Sequence, residues 1–391
     1  MVEFKHRRQQ WAVGHGFFHT ASIDIQGHTY RYIYDCGSKG QSTVSREIDR
    51  YITNEALEGR SSDIDMLVVS HFHTDHIKGI PYLLSKAKVK NLIIPYLSMD
   101  AQLSTLAQLA SLGYQELDDF SELIVNPSSW MRTQGSDEVQ VTQISSGEVG
   151  GNDSENPVVD NGISINPGKV SHEVSCNIFL QRNPFWQFKF YTEENATLAT
   201  TITDMILAAT GSNRSELESN LLDSDWIRQN WESLKNAYTS IGSDKQNITN
   251  LSMFSGPVGD FGSMFANFQP GCSQSVYYHL MRELQGWLGT GDAELKSPRS
   301  FSAFEKHFNN LLRQVDTVTV PHHGALKNYN AKIGDIGVRH VITANSEVDP
   351  KGHHPASEVM VNLKTKSSSL NVVTKDESTA LFDSFIGLLV R

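Results

Sequence analysis

Along this chain the apolar positions switch repeatedly between a period of two and a period of three to four, the pattern of strands alternating with helices. Residues 11 to 35 alternate through Phe17, Ile23 and Ile25, turn at Gly27 and resume in Tyr30 to Tyr34, a hairpin ending at Asp35-Cys36-Gly37. A helix is predicted around Val44 to Tyr51, a buried strand at Ile64 to Val69, a helix over 77 to 86 and a strand at Val89 to Pro95, together a βαβ unit. Leu and Ala recur at helical spacing from Ala101 to Leu123, whereas residues 134 to 162 are rich in Gly, Ser, Asn and Asp and read as a mobile surface loop. Strands are expected between 177 and 192. Residues 195 to 243 then turn helical, with Asp223 or Ser224 as the N-cap of a helix running to Tyr238.

Strand patterns return at Ile248 to Phe254, Gly286 to Thr290, Asp316 to Val320 and Val338 to Thr343, with helices near Ser302 to Leu312 and Ser357 to Leu363 and two closing strands. The fold class is therefore α/β, divided into an N-terminal part (1–194), a helical insertion (195–245) and a C-terminal part (246–391). A chain of 391 residues exceeds what one core commonly fills, so length alone leaves open a single large domain with insertions or two domains sharing a core.

Composition narrows the function classes. Lys5, His6, Arg7 and Arg8 are not followed by an apolar run of signal-peptide length, and no stretch approaches the roughly twenty apolar residues of a membrane helix. The expectation is a soluble cytoplasmic protein with no membrane association. Cys36, Cys176 and Cys272 lie far apart with no CxxC pair, so neither a disulfide framework nor a zinc knuckle is supported. A net charge of −11 argues against a broad basic surface for tracking along polynucleotides. The fifteen histidines fall largely into clusters near 15–19, 71–76, 172, 322–323 and 353–354, as metal ligands would.

The strongest cluster is His71-Phe72-His73-Thr74-Asp75-His76, directly after the apolar strand. In an extended segment His71, His73 and Asp75 would share one face, with His76 following as the next helix begins. Two imidazoles suit one borderline-soft cation, and Asp75 and His76 can serve a second a few ångströms away.

This HFHTDH run, followed by Ile77-Lys78-Gly79, resembles the HxHxDH signature of the metallo-β-lactamase superfamily. The resemblance implies an αββα sandwich holding two divalent cations at one edge, Zn²⁺ in the first place and Mn²⁺ or Fe²⁺ compatible. It also implies an aspartate bridging both cations, and Leu288-Gly289-Thr290-Gly291-Asp292 fits that place, although an aspartate after glycine also serves as a helix cap. Val320-Pro321-His322-His323-Gly324, Gly352-His353-His354-Pro355 and Asn250-Leu251-Ser252 resemble elements of one branch, which holds the nuclease-like domain of DNA-uptake competence proteins and the choline-phosphate esterases. By that likeness His322 is a ligand of the first cation, His354 of the second, and His323 a proton donor or phosphate contact, with Asp75 counted as both ligand and catalytic group. His172 and His353 are further candidates. His15 and His19 are read as structural or rim residues.

The resemblance implies hydrolysis by a hydroxide shared between the cations. A phosphodiesterase or nuclease acting on a nucleotide or nucleic acid comes first, and an amide, ester or thioester hydrolase is the alternative. A third reading is an effector module in which the helical insertion docks a protein partner through Trp226 and Trp231.

Overall fold

The computed structural model describes residues 2–112, 118–136, 138–145, 161–164, 170–171, 175–241, 247–258, 262–267, 285–346, 354–367 and 369–389. Among these, nine strands form one sheet in the order Gly262–Asn267, Leu381–Leu389, Val2–Gln10, Phe18–Ile25, His28–Cys36, Met66–Val68, Asn91–Pro95, Gln140–Ile144 and Val170–Ser171. Eight form the second, in the order Ser369–Val373, Arg339–Thr343, Val315–Thr319, Gly286–Gly289, Thr249–Pro257, Asn183–Glu194, Ser175–Leu180 and Asn161–Ser164.

Side-chain alternation stacks these sheets face to face. Tyr32, Tyr34, Met66, Val68 and Ile93 point inward and meet Phe188, Leu251, Met253 and Trp287 of the second sheet. Their neighbours Ile33, Leu67, Val69, Leu92 and Ile94 point outward beneath a layer of helices, while Phe254, Leu288, Val315 and Val318 lie beneath helices on the other side. The result is the αββα sandwich the resemblance implies.

Gln41–Leu57, Met99–Ser111 and the helices Ala196–Thr210 and Trp231–Thr239 all join the first helix layer. Ser104 Oγ donates to Ala199 O (3.0 Å) and Gln108 Nε2 to Tyr238 Oη (2.9 Å), so residues 195–241 are bonded into this layer rather than standing off it. Trp226 and Trp231 pack partly buried against the same core.

The centre of the sandwich is not wholly apolar. Arg8 reaches across from the first sheet to Asp316 (2.8 Å) and also contacts Asp383 (3.4 Å), which in turn pairs with Arg339. Next to this cluster His6 lies against Trp186 (ring centroids 4.5 Å) and His19 stacks on Trp287 (4.2 Å). Burial, then the Arg8 charge, holds both imidazoles well below their usual pKa.

Three expectations are corrected. Residues 134–162 are not simply a loop, because Gln140–Ile144 is a strand pairing parallel with Asn91–Pro95; residues 146–160 lie outside the described residues. The chain opens with the strand Val2–Gln10, which the charged sequence concealed, and residues 11–17 form a loop where the hairpin's first strand was expected. Asp75 is not part of an extended run, since the strand ends at Val68 and Asp75 and His76 both belong to a short helix, Thr74–Ile77, with His73 at its N-cap.

Candidate metal centre

The candidate ligands gather at the carboxyl ends of parallel strands, the edge where an α/β sheet ordinarily binds its ligands. His71 and His73 follow Met66–Val68, Asp292 follows Gly286–Gly289, and His322 and His323 follow Val315–Thr319. Phe72, between the two histidines, is buried in the helix-side core, which anchors the loop by roughly 1.5–3 kcal/mol and leaves its neighbours to face the edge.

The Asp292 carboxylate stands in the middle. Its Oδ2 is 3.4 Å from His71 Nε2 and 3.6 Å from His322 Nε2, and its Oδ1 is 3.6 Å from His76 Nε2. Ligand atoms of His71, His73 and Asp292 form one cluster within 4.8 Å, and those of His76, Asp292 and His323 a second. Asp75 Oδ2 lies 3.5 Å from His323 Nε2 and 3.4 Å from His15 Nε2, a third such group.

The tautomers are set from behind. Asp35 accepts from Ser70 N (2.6 Å), Ser70 Oγ (2.7 Å) and His76 Nδ1 (2.7 Å). Since Ser70 Oγ donates to Asp35, it accepts from His71 Nδ1 at 2.9 Å. His322 Nδ1 donates to Asn328 Oδ1 (2.8 Å) and His323 Nδ1 to the Thr343 carbonyl (2.9 Å). In all four rings the outer partner holds a proton on Nδ1, so that Nε2 is the nitrogen that would turn to a cation, the arrangement outer partners impose on metal-binding imidazoles.

Backbone conformation contributes as well. His322 and His323 have φ of 49° and 54°, a costly conformation for two consecutive non-glycine residues that aims both rings into the site. Gly291 has φ 52°, and a Cβ there would stand 2.4 Å from Asn250 Oδ1 and 2.8 Å from Ser70 Cβ. Asn250 Oδ1 accepts from Asp292 N (2.7 Å) and Asn247 Nδ2 donates to Asp292 Oδ2 (3.2 Å), fixing the central carboxylate.

Electrostatics follow from this crowding. Burial lowers the His73 pKa to about 3, with His71 adding to the effect. Burial likewise lowers His15 to about 2, reinforced by His323 and opposed by Asp75. At His76 burial works against the charged form, but Asp35 outweighs it and raises the pKa to about 9. Asp75 and Asp292 are held well below the usual carboxylate range, because the surrounding imidazoles overcome a burial effect of opposite sign.

These observations pass a direct test of fit to metal. Nε2 of His71, His73, His76 and His323, and Asp292 Oδ1, are buried without a hydrogen-bond partner among the described residues. Atoms each 2.0–2.1 Å from a tetrahedral cation stand about 3.3 Å apart, close to the separations seen around Asp292.

Of the residues picked out by sequence, His71, His73, Asp75, His76, Asp292, His322 and His323 converge. His323, expected as a proton donor, stands among ligand atoms. His354 lies beside the site, its ring 5.1 Å from His322 and 5.3 Å from His15, and belongs to none of the three ligand-atom groups. His172 and His353 lie outside the described residues. Asp35, Ser70, Asn247 and Asn328 were missed; the only sequence signal was Asp35 at a strand end.

A family model described as the metallo-beta-lactamase superfamily matches residues 15–154. No curated protein matches. Solved structures similar over most of the chain include human tRNase Z, short form (ELAC1), at 10% identity, covering 94% of this chain and 92% of that one with a TM-score of 0.35. Unliganded yeast PDE1 (9% identity, 99% and 100% covered, TM-score 0.41) and the metallo-beta-lactamase fold protein YhfI from Bacillus subtilis (11%, 96% and 99%, 0.37) are others. Those likenesses are too distant to bear on substrate. The HFHTDH run lies inside the matched segment and two sheets stand between two helix layers, so the chain has an αββα sandwich consistent with the metallo-beta-lactamase fold, and its residues 15–154 are similar to that superfamily.

Proposed function

We propose that this protein is a hydrolase that works with two divalent cations and cleaves phosphodiester bonds in a nucleotide or short strand. The observation that carries the reading is the Asp292 carboxylate, whose two oxygens face two separate sets of Nε2 atoms, each held in the metal-ready tautomer. In this reading His71, His73, His322 and Asp292 hold the first cation, and Asp75, His76, His323 and Asp292 the second. Such a pair supplies an activated water at neutral pH and polarises the bond under attack.

The chain's own residues do the rest. Asp35 and Ser70 keep His71 and His76 oriented, and Asn247 and Asn250 keep Asp292 from turning. An anionic substrate is favoured by Lys39 and Lys327, both exposed, which act electrostatically on His15 and His354 and on His322 respectively. The net charge of −11 opposes a long polynucleotide, which is why a small phosphodiester is preferred. His354, at the side of the site, is assigned to contact with substrate.

The test is incubation of purified protein with Mn²⁺ or Zn²⁺ and bis(p-nitrophenyl) phosphate, cyclic nucleotides and labelled single- and double-stranded oligonucleotides, with chromogenic lactams and thioesters alongside. Cleavage of a phosphodiester, abolished by chelation, is expected. Turnover of lactam or thioester alone would transfer the assignment to the amide, ester or thioester class.

A further inference from the structure

The loop between Val2–Gln10 and Phe18–Ile25 carries Gly14-His15-Gly16, and its construction exceeds what a connecting loop requires. Gly14 and Gly16 have φ of 71° and 152°. A Cβ on Gly16 would lie 2.5 Å from Gly37 O and Ser38 Cα and 2.8 Å from Asp75 O, so only glycine lets the loop come this close. Phe17 N donates to Asp75 O and to Gly37 O, both at 3.1 Å. Lys39 N donates to His15 O (3.0 Å), and His15 N donates to Asn345 Oδ1 (3.1 Å). The backbone around His15 is thus fastened directly to the residue that offers the second cation a carboxylate.

The side chain completes the picture. His15 is buried, its ring lies 4.1 Å from that of His323, and its Nε2 is 3.4 Å from Asp75 Oδ2. An imidazole present only to satisfy the carboxylate would be expected to close to the 2.7–2.9 Å of a charge-assisted hydrogen bond. At 3.4 Å, matched by 3.5 Å from His323 to the same oxygen, the spacing is that of neighbouring atoms in a coordination shell.

We propose that His15 is a ligand of the second cation, supplied by the N-terminal loop in addition to Asp75, His76, His323 and Asp292. The proposal rests on the two-cation reading above and makes the two positions unequal, because the first cation's set does not include His15. Removing His15 should therefore weaken one position only.

The experiment is titration of the metal-stripped full-length protein with Co²⁺, followed by visible absorption and by competition with a chromogenic chelator, for wild type, His15→Ala and His15→Gln. Wild type should bind two equivalents. His15→Ala should bind the first with unchanged affinity and the second at least about tenfold more weakly, with an altered d–d band for that equivalent. A folded His15→Ala protein with two wild-type affinities and an unchanged band overturns the proposal. If His15→Ala melts far below wild type, the same comparison is decided on His15→Gln, which keeps a polar side chain of similar reach and removes the imidazole. Failure of wild type to bind a second equivalent would overturn the two-cation reading instead.

Discussion

Replacing Asp35 by asparagine isolates what the buried carboxylate contributes to the site. Asp35 has φ 56°, a left-handed conformation that asparagine tolerates as readily as aspartate, and the two side chains have nearly equal volume. What changes is donor and acceptor polarity. The carboxylate now accepts from Ser70 N, Ser70 Oγ and His76 Nδ1. An amide can keep its oxygen on Ser70 N, but its NH₂ then points at Ser70 Oγ and His76 Nδ1. His76 must accept there and carry its proton on Nε2, the atom that faces Asp292. Ser70 Oγ is likewise no longer held as the acceptor for His71 Nδ1.

Loss of such outer partners lowers metal affinity about 10–100-fold, or about 1.4–2.7 kcal/mol. A second readout is the charge on His76. Its pKa is raised to about 9 by Asp35 against an opposing effect of burial, so in the cation-free protein it is protonated at pH 7.5. In the Asp35→Asn protein burial dominates, and the ring should be neutral at that pH. Chelator competition gives the affinity, ¹⁵N NMR of the imidazoles gives the protonation state, and a thermal melt establishes folding. Wild-type metal affinity together with a still-protonated His76 would refute the reasoning.

Three further outcomes are expected. Gly291→Ala should displace Asn250 or Ser70 and with them Asp292, reducing bound metal by ICP-MS and destabilising the fold by about 1–3 kcal/mol; full metal content would contradict the packing described. Arg8→Met leaves Asp316 in the interior without its guanidinium, while Asp383 keeps Arg339, and should lower urea-denaturation stability by about 3–5 kcal/mol, whereas a loss under 1 kcal/mol would mean the cluster is solvated. His6, buried with its pKa well below 6.5, stays neutral in the folded state while the unfolded chain takes up a proton below pH 6.5, so its contribution costs stability as pH falls below that value. Between pH 7.5 and 5.5 wild type should lose about 1.4 kcal/mol more than His6→Phe, and equal losses would show that His6 is protonated in place.

Sequence patterning exposed the candidate site where its residues are local. HFHTDH and VPHHG each set candidate ligands close together after an apolar strand, GTGD adds one more, and the strands of the inner core alternate as such strands must. It failed where the interior is polar. In Val2–Gln10 the inward face is Phe4, His6, Arg8 and Gln10, which hydropathy assigns to the surface and only the partners Asp316 and Asp383 make suitable for burial. Gln140–Ile144 was hidden similarly, with Val141 and Ile144 its only apolar residues in a segment otherwise rich in turn formers. Asp35, Asn328 and His15 act across 41, 6 and 60 residues to His76, His322 and Asp75, and no periodicity records a partnership made by tertiary packing.

The strand Val2–Gln10 pairs on one side with Phe18–Ile25 and on the other with Leu381–Leu389. During synthesis the first neighbour is available almost at once, but the second leaves the ribosome only after the intervening residues 26–380 have been made. Until then this strand keeps an open flank, and Arg8 waits for carboxylates at positions 316 and 383. Non-local pairing of this kind slows folding, so release of chains shortened before residue 381 should yield aggregation-prone species and a demand for chaperone protection.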